Sequence, residues 1–208
     1  MSDASGASIS GSELSFLANA GQVGALIRAH DWSQSSLGNP STWPQSLRSV
    51  VGLLLNSEFA MFVAWGDELS LLYNDRFIEI LGAKHPHALG QSFRDVWAEV
   101  WSELSPLIEA ALRGESSYNE DLPLIINRNG FDEQGWFTLS YSPVRDEAGH
   151  ATGMFCVCTE TTQKVIAARR QQFLAEISQA MLLADDPRRT MQAAVELLGL
   201  HLGANQIG

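Results

Sequence analysis

Two short apolar runs, residues 59–65 and 69–73, lie on either side of a polar turn at 66–68. Runs of this length, rich in aromatic and aliphatic residues and bounded by Gly and Asp, are typical of strands in a hairpin. Asn74 then suits the N-cap of a helix whose apolar residues recur at helical spacing until Gly82. The pattern therefore predicts a strand, a turn, a strand and a helix, in that order.

The second half of the chain continues with short helical segments over roughly 84–113 and then with strands. Three strand-like segments are predicted at 117–128, 135–144 and 151–161. The turn sequences between them contain Gly130 and Gly149, and Gly readily adopts the positive φ angles of hairpin turns. Strands at both ends and helices between them predict one compact α+β unit.

The stretches LLYND followed by RFIEILG, and WFTLSYSPVRDEAGHATGMFCVCTETT, resemble the PAS domain. The resemblance covers about residues 59–162. It implies a five-stranded antiparallel sheet, flanking helices that line one side of a ligand pocket, and a sensory function. The family's Asp-x-Thr junction after the last strand appears here as Thr159, Glu160 and Thr161. The Thr carries over to Thr161 but the acid does not, and Glu160 is the candidate replacement. These three residues form the predicted signal relay.

Charge and composition narrow the range of partners and locations that we expect for this chain. The 208 residues carry a net charge of −11 and 45% apolar residues, enough for one core with attachments. No cluster of Lys and Arg marks a nucleic-acid surface, and an anionic membrane would repel the chain. The N-terminus lacks the features of a signal peptide, and no apolar run is long enough to span a bilayer. We therefore expect a cytoplasmic chain with neither nucleic acid nor membrane as a partner.

The region before the PAS-like segment divides into two parts. Residues 1–12 are rich in Ser, Gly and Ala and are expected to be disordered, whereas 13–58 reads as a helical cap. A helix predicted over 44–56 carries an apolar stripe at i, i+3, i+4, i+7 and i+8. The stripe consists of Leu47, Val50, Val51, Leu54 and Leu55. It must be covered either by the chain's own sheet or by a second copy, with Leu47, Val51 and Leu54 as the candidate dimer contacts.

The region after the PAS-like segment reads as a helix over 163–184. Ile166 and Phe173 repeat every seven residues and Ile177 falls at the complementary d position, which predicts a short coiled coil between two copies. Arg170 occupies the preceding d position, so an ordinary amphipathic linker helix is the alternative. Residues 185–208 resemble the opening helix of a GAF domain, and that resemblance implies a longer signalling protein with further domains.

No catalytic motif is found in the sequence. Cys156 and Cys158 stand two apart on one predicted strand, so both face one side of it, where reduced core thiols are expected rather than a bridge. His85 and His87 lie far upstream in a loop sequence that is typical of solvated surface, and metal binding is not expected. Neither a nucleophile elbow nor a phosphate-binding glycine loop occurs. This chain itself is therefore not predicted to be an enzyme.

The PAS resemblance also bears on cofactors. Light-sensing members that bind flavin carry a reactive Cys where this chain has AKHPHALGQSFRDVW, so the covalent flavin photoadduct is disfavoured. Members that bind heme take an axial His from the helix that here reads WSELSPLIEAALRGE, which has none, so heme is disfavoured too. The cofactor stays unknown. Two possibilities remain: a pocket that binds a small organic ligand, or a core that aromatic side chains fill.

Large aromatic residues fall where the PAS family lines its cavity, and they suit a planar or partly polar ligand. The candidate ligand-binding residues are Trp97, Trp101, Tyr118, Trp136 and Tyr141, with Asn74 as a polar partner. Asn119, Asp121 and Arg128 are further groups that could orient a ligand. The same aromatic residues could instead simply fill the core.

The resemblance implies a PAS sensor at the N-terminus of a cytoplasmic signalling protein of the PAS-GAF histidine kinase type, working as a homodimer. In this interpretation a ligand or partner changes how the sheet packs on its flanking helices, and the junction passes that change to the helix at 163–184. The alternative is a ligand-free dimerisation scaffold. The two interpretations differ in how the chain responds to a small molecule. A sensor is stabilised by the ligand that it binds, whereas a ligand-free scaffold is not.

Overall fold

Five antiparallel strands form the centre of the fold. The structure is a computed structural model, and it describes residues 14–18 and 20–183 of the chain. The strands lie in the order β2-β1-β5-β4-β3 across the sheet. Their bounds are Ala60–Trp65 (β1), Ser70–Tyr73 (β2), Ser117–Ile126 (β3), Glu133–Arg145 (β4) and Ala151–Glu160 (β5). The predicted α+β class with a five-stranded antiparallel sheet is confirmed.

Helices lie before, within and after the sheet sequence. The α-helices are Gly21–Ala29 (α1), Gln45–Leu55 (α2), Ile78–Leu81 (α3), Phe93–Val96 (α4), Trp101–Leu112 (α5) and Thr162–Leu183 (α6). Short 3-10 turns occur at Ser15–Leu17, Trp32–Gln34, Pro40–Thr42, Asp75–Phe77, Gly82–Lys84 and Ala98–Val100. Most of the helices between β2 and β3 are single turns, so this side of the fold consists of short helical segments joined by turns.

The two faces of the sheet follow from strand alternation. Phe62 pairs with Cys156, and Cys156 pairs with Tyr141, so these three side chains project from one face. Helix α5 packs against β3, β4 and β5. Val63 and Leu72 project from the opposite face and are also fully buried. Helix α2 packs against β1 and β2.

The apolar stripe of α2 is covered within the protomer. Leu47, Val51 and Leu54 have no exposed surface and belong to the main core. The prediction that these three residues form a dimer contact is therefore wrong, because none of their surface is left for a second copy. The helix starts without a side-chain cap, and Asn39 caps the 3-10 turn that precedes it.

Helix α1 is tied to the sheet by a carboxylate. The side-chain oxygens of Asp75 accept hydrogen bonds from the backbone N–H groups of Gln22 (2.9 Å) and Val23 (2.8 Å). These groups belong to the first turn of α1, where backbone donors have no partner inside the helix. Asp75, two residues after the end of β2, therefore caps a helix more than fifty positions earlier in the sequence, which the local pattern of Ser, Thr and Gly near α1 does not indicate.

Helix α6 follows β5 after a single residue. The chain divides into two compact units after Glu160, and α6 belongs to the second. Ile166 is 46% exposed and Leu174 53% exposed, whereas Phe173 and Ile177 are half-buried. The coiled-coil dimer contact predicted at Ile166, Phe173 and Ile177 stays a prediction. The expected disordered tail at 1–12 and the GAF-like segment at 185–208 lie outside the described residues.

Within residues 14–18 and 20–183, no helix combines the length and the apolar character that crossing a bilayer requires.

Candidate functional site

A small apolar cavity lies between the sheet and the helices that follow β2. Its volume is about 30 Å³. Four strands supply one side of it, including Phe62, Ile126, Leu139, Tyr141 and Cys158. The helical side consists of Phe77, Ile80, Trp97, Val100 and Leu104. Ligand sites of typical size are roughly ten times larger or more, so the aromatic side chains fill most of the space where the predicted pocket lies.

Two of the five aromatic candidates line this cavity, namely Trp97 and Tyr141. Trp101 lies further along, where its ring packs beneath the guanidinium group of Arg94 at 5.5 Å. Tyr118 is 66% exposed on β3. Trp136 precedes cavity-lining Phe137 on β4 and therefore projects from the opposite face of the sheet. The structure thus brings Trp97 and Tyr141 together and leaves the other three outside the cavity.

Asn74 is buried, and its side chain is used entirely by the fold. Its Oδ1 accepts from the backbone N–H of Met61 (3.0 Å) and of Phe77 (3.2 Å). Its Nδ2 donates to three backbone carbonyls, those of Leu54, Ser57 and Phe59, at 2.7 to 3.2 Å. The predicted capping role is confirmed. The amide also ties the end of α2 to β1, so no hydrogen-bonding capacity is left for a ligand.

Lys84 and Glu99 close the outer side of Trp97. The ammonium group of Lys84 lies 4.2 Å from the centre of the Trp97 ring and donates a hydrogen bond to Glu99. Burial raises the pKa of Glu99, but the hydrogen bonds from Lys84 and the backbone N–H of Asn127 outweigh burial and hold this pKa below its ordinary value. Through Lys84, Glu99 is therefore linked to the cavity-lining Trp97.

Three polar groups of Trp97 and β3 are buried without a hydrogen-bond partner among the described residues: the indole N–H of Trp97, the amide nitrogen of Asn119, and the hydroxyl of Ser117, which pairs with the cavity-lining Tyr141. Trp97 lines the cavity directly. Asn119 pairs with Leu139 across β3 and β4, so it projects from the face that carries the cavity. Folded proteins rarely leave a buried polar group without a hydrogen-bond partner, because each such group costs free energy.

Arg128 connects the β3–β4 turn to the end of β5. Its guanidinium group binds both carboxylate oxygens of Glu160, at 2.7 and 3.1 Å, and it also binds Glu133 at 3.2 Å. The hydrogen bonds to Glu160 are the main reason that the pKa of Arg128 is raised. Gly82, at the end of α3, lies close to the backbone of Arg128 in the β3–β4 turn. Its φ is +55°, and a Cβ at this position would lie 2.8 Å from the Arg128 carbonyl oxygen, so the close approach requires Gly.

The three predicted relay residues lie at the end of β5 and in the link to α6. Glu160 ends β5 and Thr162 begins α6, so Thr161 is the linking residue, and Thr159 pairs with Thr138 on β4. The sequence pointed to Glu160 through the family's junction motif. It contained no local signal for Arg128 as the partner, because the two residues lie 32 positions apart and meet only through strand pairing.

His85 is not the solvated loop residue that the sequence suggested. Its Nδ1 lies 2.9 Å from the Tyr73 hydroxyl, and its Nε2 lies 3.2 Å from the Gln22 amide nitrogen. Burial lowers the pKa of His85, and the nearby Asp75 carboxylate partly opposes this shift. His87, two residues further on, is exposed.

The two cysteines are buried free thiols, as predicted. Burial raises the pKa of Cys158 to about 12 and that of Cys156 well above its ordinary value. Such thiols are poor nucleophiles and poor metal ligands at neutral pH. Across the described residues, no group of three His, Cys, Asp or Glu side chains is placed to hold a metal ion. Neither a flavin nor a heme fits a cavity of about 30 Å³.

Comparisons with known proteins agree with this architecture. A sequence profile described as the PAS fold matches residues 57–166. No curated protein matches the chain.

Solved structures of PAS-type domains resemble the chain at low sequence identity. An RNA-binding light-oxygen-voltage receptor is 22% identical with a TM-score of 0.45, and the match covers 62% of this chain and 36% of that one. The Rhodobacter sphaeroides LOV protein is 16% identical, with a TM-score of 0.44 and coverages of 74% and 90%. A sensory box sensor histidine kinase from Vibrio cholerae is 18% identical, with a TM-score of 0.37 and coverages of 56% and 89%.

These likenesses concern the fold alone. The profile match, in contrast, spans more than half of the 208 residues and includes every strand of the sheet. This chain belongs to the PAS-fold family.

Proposed function

We propose that this chain is the sensory and regulatory PAS domain of a cytoplasmic signal-transduction protein, of the two-component sensor histidine kinase type. In this proposal a small molecule or a partner changes the packing around the cavity, and the junction after β5 passes the change to α6. The kinase type comes from the sequence resemblance. The mechanism rests on the geometry of Arg128 and Glu160.

The observation that carries the mechanism is the position of this ion pair relative to the cavity. Ile126 on β3 and Cys158 on β5 both line the cavity. Arg128 and Glu160 follow them by two residues each, and the two are joined by a pair of hydrogen bonds. A displacement of either cavity strand therefore changes the geometry of the pair. Glu160 is also the last residue of the sheet before α6, so the same displacement reaches the helix through one linking residue.

Hydrogen exchange of α6 amides tests this coupling without any ligand. Arg128→Gln keeps a polar side chain but removes the ion pairs with Glu160 and Glu133. We expect faster exchange in the first turns of α6, because Glu160, the last residue of β5, loses its two hydrogen bonds with Arg128. Arg76→Gln is the matched control, since it removes the exposed ion pair with Glu58 on the same domain. Equal α6 exchange in the two variants would contradict the coupling.

The output of the full-length protein gives a second test. Thr161→Ala combined with Glu160→Ala removes the hydroxyl and the carboxylate at the junction. We expect the response of the full-length protein to its stimulus to be lost or reduced. An unchanged response across all stimuli would rule out the relay.

The second candidate function is a ligand-free dimerisation scaffold. The small cavity volume favours it, because the aromatic side chains already occupy the space that a ligand would need. Native mass spectrometry of the purified chain separates the two candidates. A subunit or dimer that releases a discrete small mass on activation supports the sensor, whereas a bare dimer supports the scaffold.

A further inference from the structure

The turn between β3 and β4 contains Asn129 followed by Gly130, which is the only Asn-Gly pair in the 208 residues. Both residues are exposed. Gly130 has a φ of +87°, and open space surrounds the position that a Cβ would occupy there. Within residues 14–18 and 20–183, its backbone N–H donates no hydrogen bond. The backbone nitrogen that follows Asn129 is therefore accessible and is not engaged by the fold.

Every other asparagine in the described part of the chain precedes a residue that carries a side chain. A side chain at that position crowds the approach of its backbone nitrogen to the Asn side-chain carbonyl carbon. Asn56 gives a clear contrast, because the N–H of the following Ser57 donates to the carbonyl of Leu54 at 3.1 Å. Asn129 is thus the asparagine at which attack by the next backbone nitrogen meets the least hindrance.

The Asn129 side chain also belongs to the charge network of this turn. Its Nδ2 donates to Oε1 of Glu133 at 2.7 Å. The other oxygen of the same carboxylate, Oε2, accepts from Nε of Arg128 at 3.2 Å. The bond from Asn129 lies at the surface, where water competes for both groups, so it holds the amide only weakly. One carboxylate therefore contacts both Asn129 and Arg128, and a change of charge at 129 acts on it directly.

We propose that Asn129 undergoes spontaneous deamidation and that the product weakens the ion pair between Glu133 and Arg128. In this reaction the Gly130 nitrogen loses its proton to hydroxide and forms a bond to Cγ of Asn129. The bond from Cγ to Nδ2 breaks, and the nitrogen takes a proton from water and leaves as ammonia. Water then opens the cyclic imide at either carbonyl, which leaves Asp or isoaspartate at position 129.

A carboxylate at 129 changes the contact with Glu133 from attraction to repulsion. The amide N–H that Glu133 accepts is replaced by a negatively charged oxygen, and two carboxylates in contact disfavour each other. The side chain of Glu133 is only 22% exposed, so water screens this repulsion incompletely. Glu133 relieves the repulsion by turning away from 129, which moves its carboxylate out of line with the Arg128 Nε–H.

Ageing of the full chain at mildly alkaline pH tests the first half of the proposal. Peptide mapping by mass spectrometry measures the converted fraction of each asparagine, and chromatography separates the Asp product from the isoaspartate product. We expect Asn129 to convert at least about tenfold faster than Asn56 and to give both products, because only Asn129 precedes a residue without a Cβ. Conversion of Asn129 no faster than that of Asn56 would overturn the proposal.

NMR of the arginine Nε–H signals in the ¹⁵N-labelled chain tests the second half. The Arg128 signal is assigned by its loss in Arg128→Gln, and Asn129→Asp supplies the product directly. We expect the Arg128 Nε–H of this variant to exchange with water about two- to fivefold faster, because its hydrogen bond to Glu133 is weakened.

Asn127→Asp is the matched control. Asn127 lies in the same turn, and its Nδ2 donates to the carboxylate of Asp132 at 3.1 Å. Asp132 is not among the ion-pair partners of Arg128, which are Glu133 and Glu160. The control therefore makes the same change of charge beside a carboxylate that Arg128 does not bind, and the Arg128 signal should keep its wild-type exchange rate.

An Arg128 signal that Asn129→Asp leaves unchanged, or that Asn127→Asp changes equally, would overturn the effect on the ion pair. The aged wild-type chain gives the same readout without a substitution, since a second Arg128 signal should grow with the converted fraction of Asn129. Neither measurement involves α6 or a ligand. The proposed sensory relay can therefore fail while this inference stands, and the reverse also holds.

Discussion

Helices α2 and α6 both carry apolar residues at regular helical spacing, but their surroundings differ. In α2, Leu47 and Val51 are fully buried within the protomer's own core. In α6, Ile166 and Leu174 keep about half of their surface exposed. The periodicity of a stripe shows that one face of a helix is apolar, and it does not show what covers that face.

The two helices are also held in different ways. Helix α2 is held by burial and by Asn74, whose amide donates to the carbonyl of Leu54. Helix α6 continues from β5 after one residue, and Arg128 binds the residue that ends that strand. Stability should therefore depend on α2, and the proposed signal transfer should depend on the junction that leads to α6.

The largest expected effect comes from the buried stripe of α2. Leu47→Ala should lower the free energy of unfolding by about 2–5 kcal/mol, because it removes buried methyl groups and leaves a cavity. Leu53→Ala is the control, since this residue lies on the same helix and is 60% exposed. It should cost less than about 0.5 kcal/mol. Urea denaturation at two protein concentrations measures both, and similar costs for the two variants would contradict the intramolecular seat of α2.

The next effect concerns the ion pairs of Arg128. Arg128→Gln should lower the free energy of unfolding by about 1–3 kcal/mol, because the partly buried carboxylates of Glu133 and Glu160 lose a charged partner. Arg76→Gln should cost less than about 1 kcal/mol, since its ion pair with Glu58 is exposed. Guanidinium denaturation is unsuitable because its salt screens charge, so urea is used. A cost for Arg128→Gln no larger than that of the control would argue against a structural role for the pair.

A smaller effect on the isolated subunit is expected from α6. Ile166→Asp places a charge on the predicted dimer seam, and Leu174→Asp places one beside that seam. Both should change the free energy of unfolding of a monomer by only about 0.5 kcal/mol, because about half of each side chain is already exposed. If α6 pairs with a second copy, Ile166→Asp should weaken the dimer at least about tenfold and Leu174→Asp much less. Light scattering over a concentration series measures this, and equal dimerisation by both variants would exclude the seam.

The smallest effect is a pH dependence at His85, near the N-terminus of α1. Burial lowers the folded-state pKa of His85 below its ordinary value of 6.5. As the pH falls below about 6.5, the unfolded chain takes up this proton before the folded chain does. Stability should therefore decline from pH 6.5 down to the lowered folded pKa. His85→Gln should reduce this decline in urea denaturation between pH 7.5 and 5.5, with His87→Gln as the control. An unchanged pH dependence in His85→Gln would contradict this contribution.

The strands and longer helices could be predicted from the sequence because their signals are local. Alternation placed Phe137, Leu139 and Tyr141 on one face of β4, and all three line the cavity. The turn at Gly66 separates β1 from β2, where positive φ favours Gly. The first turn after β2 begins at the cap residue Asn74.

The candidate site was less predictable, because its members meet through distant pairings. Aromatic residues near the expected pocket could not be sorted by sequence, since Trp97 and Trp101 stand four positions apart and only the first lines the cavity. Lys84 and Glu99 had no motif to mark them. The partner of Glu160 was likewise hidden, because a surface Arg in a turn is usually solvated.

Periodicity and turn chemistry act over a few residues, and they were enough to predict the order of elements, the PAS-like sheet and the positions of the core thiols. The folded chain was needed to show what covers the α2 stripe, how far the aromatic side chains fill the cavity, and which charge binds Glu160. These outcomes depend on contacts between residues far apart in the chain, whose distances and burial no local pattern encodes.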